Sequence, residues 1–550
     1  LKMPRQPLIR LALFSALAFM GMRHASGQLD NEFWFVAPEV ITNHGDTPVF
    51  LRFATYNDSA YVLLDMPAND DYQPYSLAIP PNSVMSLDLT DSLSWYENQP
   101  FDAVSNKGIH ITSSANISAY YEVNVWNNPE IFSLKGQNAL GSSFFLPYQN
   151  LVSNVYGNST SGFDIVATEP NTVVTIVPTA DLVGGHPAGV PYQVTLPLPG
   201  STYAGRAASQ WNDGHPSGTV ITSNHPVAIT IHDDSCNGGP FGGCTDLMGD
   251  QIVPIDLLGT EHIAVRGFLN GDDRVYVVAT EDNTLVSVGG ALIGVLNTGE
   301  TLEHPLSDNA AYFTTSAPAA VWQMTGFNCE LGGALLPSLT CTGSSAATFV
   351  RSKEETCGIN LLVPFGGEGN FSFNGDASLI SDTSFAPVPG TEGAWMFAQL
   401  NLGDTVPVLE PSKIANASHA FHLGIIHGTD TTGTRFGHFS DYGTVKYQVT
   451  MQTVHVCLDE PFAIEVNAVN NGLYQWTGPN GAAGEGAMLE FPQATLDMEG
   501  HYVVSGSSGA CEVESDSVNV LVHAPIGPPG LPERVVACEG VPLSLTGTGG

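Results

Sequence analysis

The densest group of side chains that could carry chemistry lies near the middle of the chain. It consists of consecutive polar residues followed by two acids: His232, Asp233, Asp234, Ser235, Asp246 and Asp250. Two adjacent carboxylates on a loop can bind Ca²⁺, a hard cation that takes several oxygen ligands. The sequence therefore raises two hypotheses, a calcium site at Asp233 and Asp234 and a metal-assisted hydrolase that uses His232 with both aspartates.

A second acidic loop, Asn270-Gly271-Asp272-Asp273, adds Asp272 and Asp273 as candidate calcium ligands. The alternative is that both loops are solvated turns, because Asp and Asn favour turns and adjacent strand residues face opposite sides. His422 and His427 flank apolar residues and are interpreted as histidines at strand ends.

Known catalytic signatures are missing from the sequence. It contains no His-Glu-x-x-His, no Gly-x-Ser-x-Gly and no Gly-x-x-x-x-Gly-Lys motif. We therefore expect that the chain is not an enzyme and needs no cofactor other than a structural calcium ion.

The elements that would position these residues are β-strands. Short runs rich in Val, Ile, Thr, Tyr and Phe alternate apolar with polar residues, and Gly, Pro, Asn and Asp separate them. Residues 108–125 and 219–232 each have the pattern of a strand, a turn and a second strand. The sequence predicts an all-β fold, built as sandwiches or barrels.

An internal repeat organises these strands. The string Ala-Thr-Glu-x-Asn-Thr begins at Ala167 and again at Ala279, 112 residues later, and a weaker copy starts at Phe53. Asn-Thr between two valine-rich runs predicts a tight hairpin turn, so Glu169 and Glu281 need no catalytic role. Three tandem units follow, arranged either as β-sandwich-like domains or as a propeller-like ring.

The N-terminal residues predict secretion. Lys2, Arg5 and Arg10 precede an apolar run from Leu11 to Met22, and Ala25-Ser26-Gly27 provides small residues for cleavage. This pattern predicts a signal peptide over 1–27, and the run is shorter than a spanning helix. We expect a secreted or cell-surface protein with no transmembrane segment in this chain.

The charge excludes some partners. Lys and Arg total 16 against 54 Asp and Glu, a formal net charge of −38. Such a surface repels nucleic acids and anionic membranes, so neither is an expected partner.

The stretch from Pro226 to Val288 contains PVAITIHDDSC, then CTDLMGDQIVPIDLLGTEHIAV, then DDRVYVVATEDNTLVSV. In this order, the three strings resemble the N-terminal domain of IgGFc-binding proteins, including secreted members from gliding bacteria. The string FHLGIIHGTDTTGTRFGHFSDY from Phe421 resembles the segment that closes this domain, so the resemblance covers about 31–445. It implies extracellular binding or adhesion to a protein or glycan of unknown identity, and it does not carry the immunoglobulin ligand over.

A different pattern begins after Tyr447. Cys457, Trp476, the string Asp497-Met498-Glu499-Gly500-His501-Tyr502 and Cys511 resemble an immunoglobulin-like or PKD-like β-sandwich. The expected domains are a 28–447 β region with three repeat units and a closing segment, and a 448–523 module. A Pro-rich linker over 524–536 and the start of a second module over 537–550 would follow.

Eight cysteines in a secreted chain predict disulfides. The expected pairs are Cys236 with Cys244, Cys457 with Cys511 and, on loop length alone, Cys329 with Cys341. Cys357 is left over, and Cys538 would pair beyond Gly550. A zinc site is the alternative, although the sequence has no Cys-x-x-Cys pair.

Three functions remain open from the sequence. The first is a non-catalytic binding or adhesion protein, which the repeats and the resemblance favour. The second is a structural stalk that spaces another domain from the cell surface. The third is the metal-assisted hydrolase at His232, Asp233 and Asp234.

Overall fold

A computed structural model describes residues 29–56, 58–340, 342–442, 453–466, 473–508 and 511–524. The expected signal peptide, the Pro-rich linker from residue 525, the second module, Cys341 and Cys538 lie outside the described residues. The all-β prediction is confirmed. Within the described ranges, helical structure consists of one short α-helix and ten 3₁₀ turns: α1 (Leu93–Tyr96), and Thr90–Ser92, Gly136–Ala139, Asn212–Gly214, Gly239–Phe241, Ile255–Leu257, Glu368–Asn370, Asp382–Ser384, Gly403–Thr405, Pro479–Gly481 and Leu496–Met498.

Four consecutive β-rich units, called units 1 to 4, occupy residues 30–438. Unit 1 contains β1 (Asp30–Phe35), β2 (Val49–Ala54), β3 (Ala60–Asp65), β4 (Tyr75–Ile79), β5 (Val84–Asp88), β6 (Val104–Ser105), β7 (Ile109–Val123) and β8 (Glu130–Ser133). Unit 2 contains β9 (Gly141–Phe145), β10 (Ser161–Ala167), β11 (Thr172–Val177), β12 (Tyr192–Leu196), β13 (Thr202–Arg206), β14 (Val220–Asn237) and β15 (Thr245–Gln251).

Unit 3 repeats this order with β16 (Gly259–Val265), β17 (Phe268–Leu269), β18 (Asp273–Ala279), β19 (Thr284–Val288), β20 (Ala291–Leu296), β21 (Thr301–Leu306), β22 (Ala310–Asn328) and β23 (Glu330–Leu335). Unit 4 contains β24 (Ala346–Val350), β25 (Thr356–Pro364), β26 (Phe371–Phe373), β27 (Ala386–Pro387), β28 (Trp395–Asn401), β29 (Pro411–Asn416), β30 (His422–Gly428) and β31 (Thr434–His438).

Each of units 1 to 3 is built on one long strand that takes part in two sheets. The C-terminal halves of β7, β14 and β22 lie in the antiparallel orders β8–β7–β2–β5, β15–β14–β10–β13 and β23–β22–β18–β21. The N-terminal halves lie in a second set, β1–β7–β3–β4, β9–β14–β11–β12 and β16–β22–β19–β20. Each repeat is therefore a bent, two-sheet unit.

The register confirms the repeat. In unit 1, β2 pairs with β7 at Ala54–Ser118, and β3 pairs with β7 at Val62–Ser113. From the first pair to the second, the chain from β2 to β3 advances eight residues, whereas β7 is followed for only five. The corresponding steps are seven and four residues in unit 2 and again in unit 3. In all three units, the connecting segment therefore has three more residues than the part of the long strand opposite it, and the sheet bends at this point.

The repeated string lies at this bend, so the hairpin prediction for it is wrong. The strands on either side of it, β10 and β11, pair with successive parts of β14 and not with each other. Thr168 Oγ1 donates to the carbonyl of Pro226, and Thr172 Oγ1 donates to that of Glu169. Asn171 adopts a positive φ of 57°, which Asn tolerates. The string is a corner between two sheets.

The four units close into a ring. The innermost strand of each unit contacts the innermost strand of both neighbours: β8 with β15, β15 with β23, β23 with β31, and β31 with β8. In unit 4 the order is β31–β30–β25–β28–β27, and β24–β29–β26 form its second sheet. The sequence left open β-sandwich-like domains and a propeller-like ring. The structure has features of both, because the sandwich-like repeats are arranged around a ring like the blades of a propeller.

Glycines allow the inner strands to approach. A Cβ at Gly249 would lie 2.3 Å from the Phe132 ring of unit 1, and one at Gly333 would lie 2.4 Å from Trp322 and 3.1 Å from Met248 of unit 2. A Cβ at Gly437 would contact Ile131 at 3.1 Å. Apolar clusters therefore continue from unit to unit across these contacts.

The chain continues into a two-sheet module with β32 (Thr453–Cys457), β33 (Phe462–Glu465), β34 (Leu473–Thr477), β35 (Ala483–Glu485), β36 (Met488–Phe491), β37 (Gly500–Ser508) and β38 (Cys511–His523). The sheets have the orders β32–β38–β37–β34–β35 and β33–β36. Trp476 is buried in the core, and the Tyr502 hydroxyl donates to the Met498 carbonyl at 3.0 Å. This is the tyrosine corner of an immunoglobulin-like sandwich.

The expected Cys457–Cys511 bridge is wrong. Cys457 lies opposite His523 in the parallel pair β32–β38, whereas Cys511 begins β38 at its other end. Twelve residues of extended strand span about 40 Å, which no disulfide can bridge. Cys457 is an exposed free thiol.

Candidate functional site

The acidic cluster at the end of β14 is buried, and its members face different parts of the molecule. Asp234 Oδ2 accepts from the backbone N–H of Ile41 at 3.0 Å, and its Oδ1 accepts from Asn128 Nδ2 at 3.2 Å and from the Ser235 hydroxyl. Ile41 and Asn128 belong to unit 1. Asp234 therefore connects unit 2 to unit 1, near the turns that follow β7 and β14.

Asp233 points into its own unit. Its Oδ1 accepts from Asn154 Nδ2 and its Oδ2 from Gln149 Nε2, both at 2.8 Å. His215 Nδ1 lies 3.5 Å from Oδ2, and its Nε2 lies 3.0 Å from Asn154 Oδ1. Asp233 thereby holds the loop between β9 and β10.

His232 has a third environment. Its Nδ1 lies 3.2 Å from Asp164 Oδ2, and Asp164 Oδ1 also accepts from Asn98 Nδ2. Burial raises the pKa of Asp164, and the contact with His232 opposes that shift. The cavity beside His232 and Asp233 measures about 10 Å³, room for one water molecule. The three side chains do not form the shared open site that the hydrolase hypothesis requires.

The other two candidate calcium ligands have different surroundings. Asp272 is partly exposed and lies 4.0 Å from Arg266 Nη2. Asp273 is buried, and its Oδ2 accepts from the Gly267 N–H at 2.8 Å and from Gln323 Nε2 at 3.0 Å. Among the described residues, none of Asp233, Asp234, Asp272 and Asp273 belongs to a group of three or more His, Cys, Asp or Glu side chains close enough to hold a metal, and the calcium sites stay a prediction.

Asp273 gives a pH-dependent prediction. Burial raises its pKa to about 6, against the hydrogen bonds from Thr325, Gly267 and Gln323. Between an unfolded pKa of about 4 and this folded value, the native state holds a proton that the unfolded chain has lost, so stability falls as pH rises. Asp273→Asn keeps an acceptor for Gly267 and removes this cost. We expect it to stabilise the protein by about 2 kcal/mol at pH 7 and not at pH 4.

Thermal melting of both proteins at these two pH values checks this, each with Ca²⁺ and with EDTA. A Ca²⁺-dependent loss of Tm in the variant would contradict the expected gain and would make Asp273 a calcium ligand.

Three carboxylates lie where the inner strands meet. They accept backbone N–H groups from one edge of β23: Asp246 from Leu331 at 2.7 Å, Glu130 from Gly333 at 3.0 Å and Asp250 from Leu335 at 3.3 Å. Burial raises the pKa of all three. Asp246 and Asp250 were singled out from the sequence, whereas Glu130 of unit 1 was missed. These side chains join units 1, 2 and 3 in place of strand pairing.

The disulfide in the structure differs from those expected. Cys244 pairs with Cys329, with their Cα atoms 5.2 Å apart, and this bond joins unit 2 to unit 3. The expected pairs Cys236–Cys244 and Cys329–Cys341 are therefore wrong. Cys236 points into the core, where Gln149 and Asn154 lie near its sulfur, while Cys244 lies beyond the hairpin turn next to unit 3.

Among the described residues, one group of His, Cys, Asp and Glu atoms is close enough for a metal, and it contains Cys244, Cys329 and Glu330. Two of its members are already joined in the disulfide, which gives no support to the zinc alternative. Cys236 and Cys357 are buried free thiols.

The two singled-out histidines lie in β30, at its first and its penultimate residue, as expected of strand-end histidines. Burial lowers the pKa of His422 to about 4 and that of His427 to about 3. His427 Nε2 lies 3.0 Å from the Cys357 sulfur. Burial raises the pKa of Cys357 to about 12, so this pair is not an activated thiolate.

The surface of unit 2 carries a group of exposed apolar side chains that we call the aromatic rim: Val155, Tyr156, Val183 and Trp211. Trp211 is 71% exposed and Tyr156 is 43% exposed. A groove of about 440 Å³ on the same unit is lined by the turn Asp181–Pro187 and by Ala208, so Val183 is the rim residue that lines it. Exposed aromatic side chains of this kind are suited to anchoring a protein partner.

Loop contacts hold the rim in place. The Asn154 N–H donates to the Gln210 carbonyl, and Gln210 Nε2 donates to the Ser159 carbonyl, so the Tyr156 and Trp211 loops are fastened together. His44 stacks on Tyr156 with 4.6 Å between ring centres. Asp233 supports the same loop through Asn154. The buried cluster thus positions an exposed surface.

Sequence reasoning missed this rim. Trp211 lies in SQWNDGHPSG and Tyr156 in SNVYGNSTSG, where a large aromatic residue stands among turn-forming residues outside any alternating run. That signal could have identified both residues.

The part of the chain that the structure describes contains no helix with the length and apolar character needed to cross a bilayer. No curated protein matches the chain. Solved structures with similarity include the IgVJ-C2 molecule of amphioxus, at 17% identity over 32% of this chain and 96% of that one, with a TM-score of 0.13. They also include Sidekick-1 immunoglobulin domains 1–5, at 10% identity over 92% and 100%, with a TM-score of 0.15.

These TM-scores are too low to support any inference about this chain. The family model described as IgGFc binding protein matches residues 132–424, more than half of the 550 residues. The matched range covers units 2 and 3 and reaches β30 of unit 4, and it includes the aromatic rim. The family resemblance predicted from the sequence is confirmed: the chain belongs to the IgGFc-binding protein family.

Proposed function

We propose that this chain is an extracellular, non-catalytic binding protein whose ligand is a protein that docks on the aromatic rim of unit 2. The observation that carries this proposal is the exposure of Trp211 and Tyr156 on two loops that hydrogen bonds hold together, within the range that matches the family. Large aromatic side chains are the most frequent anchors of protein interfaces.

The support beneath the rim favours binding energetically. Binding to a loop that is already held in place costs less conformational entropy than binding to a loop that must first become ordered. Asp233, Asn154 and His215 form a buried hydrogen-bonded group under the Tyr156 loop. The acidic cluster therefore contributes to function by positioning the rim.

The same contacts argue against catalysis at the cluster. In the described residues, His232, Asp233 and Asp234 are buried and engaged with different neighbours. A general base needs access to a substrate proton, and the adjoining cavity has room for only one water molecule.

The family description names the Fc part of immunoglobulin G, so Fc is the first protein to test. The expected signal peptide and the Cys244–Cys329 disulfide support a location outside the cytoplasm, where disulfides persist. The net charge of −38 favours partners with a neutral or basic docking surface.

The test is an array of extracellular proteins and glycans, including Fc fragments, probed with the purified chain, together with a panel of hydrolase substrates. Binding to one or more proteins without hydrolysis is the expected result. Capture of glycans alone would show that the ligand is a glycan and not a protein. Hydrolysis of a substrate that is lost in Asp234→Ala would overturn the proposal.

The stalk hypothesis applies to the immunoglobulin-like module. This module has its own core around Trp476 and Tyr502, as a spacer domain would. If it acts only as a spacer, a chain that lacks 453–523 keeps its affinity for the ligand. A loss of affinity in that chain would assign the module to the binding surface.

A further inference from the structure

A lysine and an aspartate are enclosed together at the junction between units 1 and 2. Lys135 follows β8, and Asp250 is the penultimate residue of β15. Lys135 Nζ lies 2.8 Å from Asp250 Oδ1, and both side chains are fully buried. The Tyr442 ring covers the amine, with 4.8 Å between Nζ and the ring centre.

The surroundings oppose charge on both groups. Burial lowers the pKa of Lys135 and raises that of Asp250, and each partner partly offsets the shift of the other. Transfer of one proton from the ammonium to the carboxylate gives a neutral amine beside a neutral acid, which removes the cost of two buried charges. A neutral lysine amine is a nucleophile.

The hydrogen bonds around Asp250 distinguish its two oxygens. Oδ2 accepts from the Leu335 N–H at 3.3 Å. A donor in this position can stabilise negative charge on Oδ2 if the carbon of the carboxyl group is attacked and Oδ2 remains bound to it. Oδ1 accepts from the Ser133 hydroxyl at 3.1 Å and from the Gln251 N–H at 2.9 Å. Lys135 Nζ also donates to the Ser133 carbonyl and hydroxyl, which orient it.

We propose that Lys135 and Asp250 join in an intramolecular isopeptide bond that crosslinks unit 1 to unit 2. Lys135 Nζ attacks Asp250 Cγ and forms the N–C bond, and the bond from Cγ to Oδ1 breaks. The ammonium brings three protons: one stays on the amide nitrogen and two leave with Oδ1 as water. No oxidant or other reactant is required.

The position of this bond matches the other ties of the ring. The disulfide Cys244–Cys329 joins units 2 and 3, and a buried group of arginines and glutamates joins units 4 and 1. A covalent bond between units 1 and 2 would resist opening of the ring under load. Burial also protects the amide, because hydrolysis needs water at Cγ.

Mass spectrometry of the full folded chain after disulfide reduction tests the proposal. We expect a peptide that contains Lys135 linked to one that contains Asp250, lighter than their sum by one water molecule. Recovery of the two peptides unlinked and at full mass would overturn it, because an ion pair alone leaves both intact.

Two variants sharpen the test. Asp250→Asn should form the same amide with loss of ammonia, and Lys135→Arg should remove the linked peptide. If Lys135→Arg fails to fold, the wild-type digest still decides the outcome. A linked peptide that persists in Lys135→Arg would show that a different lysine forms it, and that would also overturn the assignment.

Discussion

Arg435→Ala is expected to open the ring at the junction of units 4 and 1. Arg435 of β31 is fully buried, and its Nε lies 3.1 Å from Glu122 Oε1 of unit 1. Nη1 donates to Glu355 Oε2 at 2.6 Å, and Nη2 donates to Asn124 Oδ1 at 2.6 Å. Removing the guanidinium leaves two buried carboxylates, with Arg52 still paired to Glu122 and Lys353 still near both acids.

Loss of one partner from a buried ion pair costs about 3–5 kcal/mol, because the other charge stays buried without compensation. Urea unfolding of the wild type and the variant measures this loss as a lower midpoint. Arg266→Ala is the matched control, since Arg266 and its neighbour Asp272 are partly exposed and such pairs contribute about 1 kcal/mol or less. Equal, small losses in both variants would contradict a ring closed through Arg435.

The double variant Arg435→Met with Glu355→Met separates charge from packing. It removes one cation and one anion together. Its loss of unfolding free energy should therefore be smaller than the summed losses of Arg435→Met and Glu355→Met measured separately. An additive cost would show that the two side chains do not act on each other.

Cys244→Ser is expected to destabilise the junction of units 2 and 3 by about 2–5 kcal/mol. The bond to Cys329 spans 85 residues, and closing a loop of that length restricts the unfolded chain strongly. Melting under non-reducing conditions should show a lower Tm for this variant. Cys457→Ser is the control, because Cys457 is exposed and unbridged and its replacement should leave Tm unchanged.

Peptide mapping without reduction distinguishes this pair from the one that sequence spacing favours. A Cys244–Cys329 peptide is expected, with Cys236 recovered as a free thiol. A Cys236–Cys244 peptide would contradict the connection between units 2 and 3.

Local patterns in the sequence were enough for the strands and the repeat. Alternation around Ala167 and Ala279 predicts strands that the structure contains, because burial of one sheet face has a period of two residues. The corner at Asn171 was not predictable, since a left-handed Asn serves a hairpin and a sheet corner equally well. Only the pairing of β10 and β11 with one long strand distinguishes these alternatives.

Contacts between distant segments account for the wrong assignments at the site. Asp233 and Asp234 are adjacent in sequence, yet Asp233 binds Asn154 and Asp234 binds Ile41, in different units. Cys244 is eight residues from Cys236 and pairs with a residue 85 positions away. Spacing along the chain carries no information about ring closure, which brings such residues together.

The proposed binding surface is tested most directly by affinity for a protein ligand identified on the array. Trp211→Ser should weaken binding at least about tenfold, because an exposed aromatic anchor contributes more than 1 kcal/mol to an interface. Phe365→Ser is the matched control, since Phe365 is 67% exposed and belongs to unit 4, whereas the rim belongs to unit 2. Weaker binding by Trp211→Ser with unchanged binding by Phe365→Ser is the predicted result. Equal affinities for the wild type and Trp211→Ser would contradict binding through the aromatic rim.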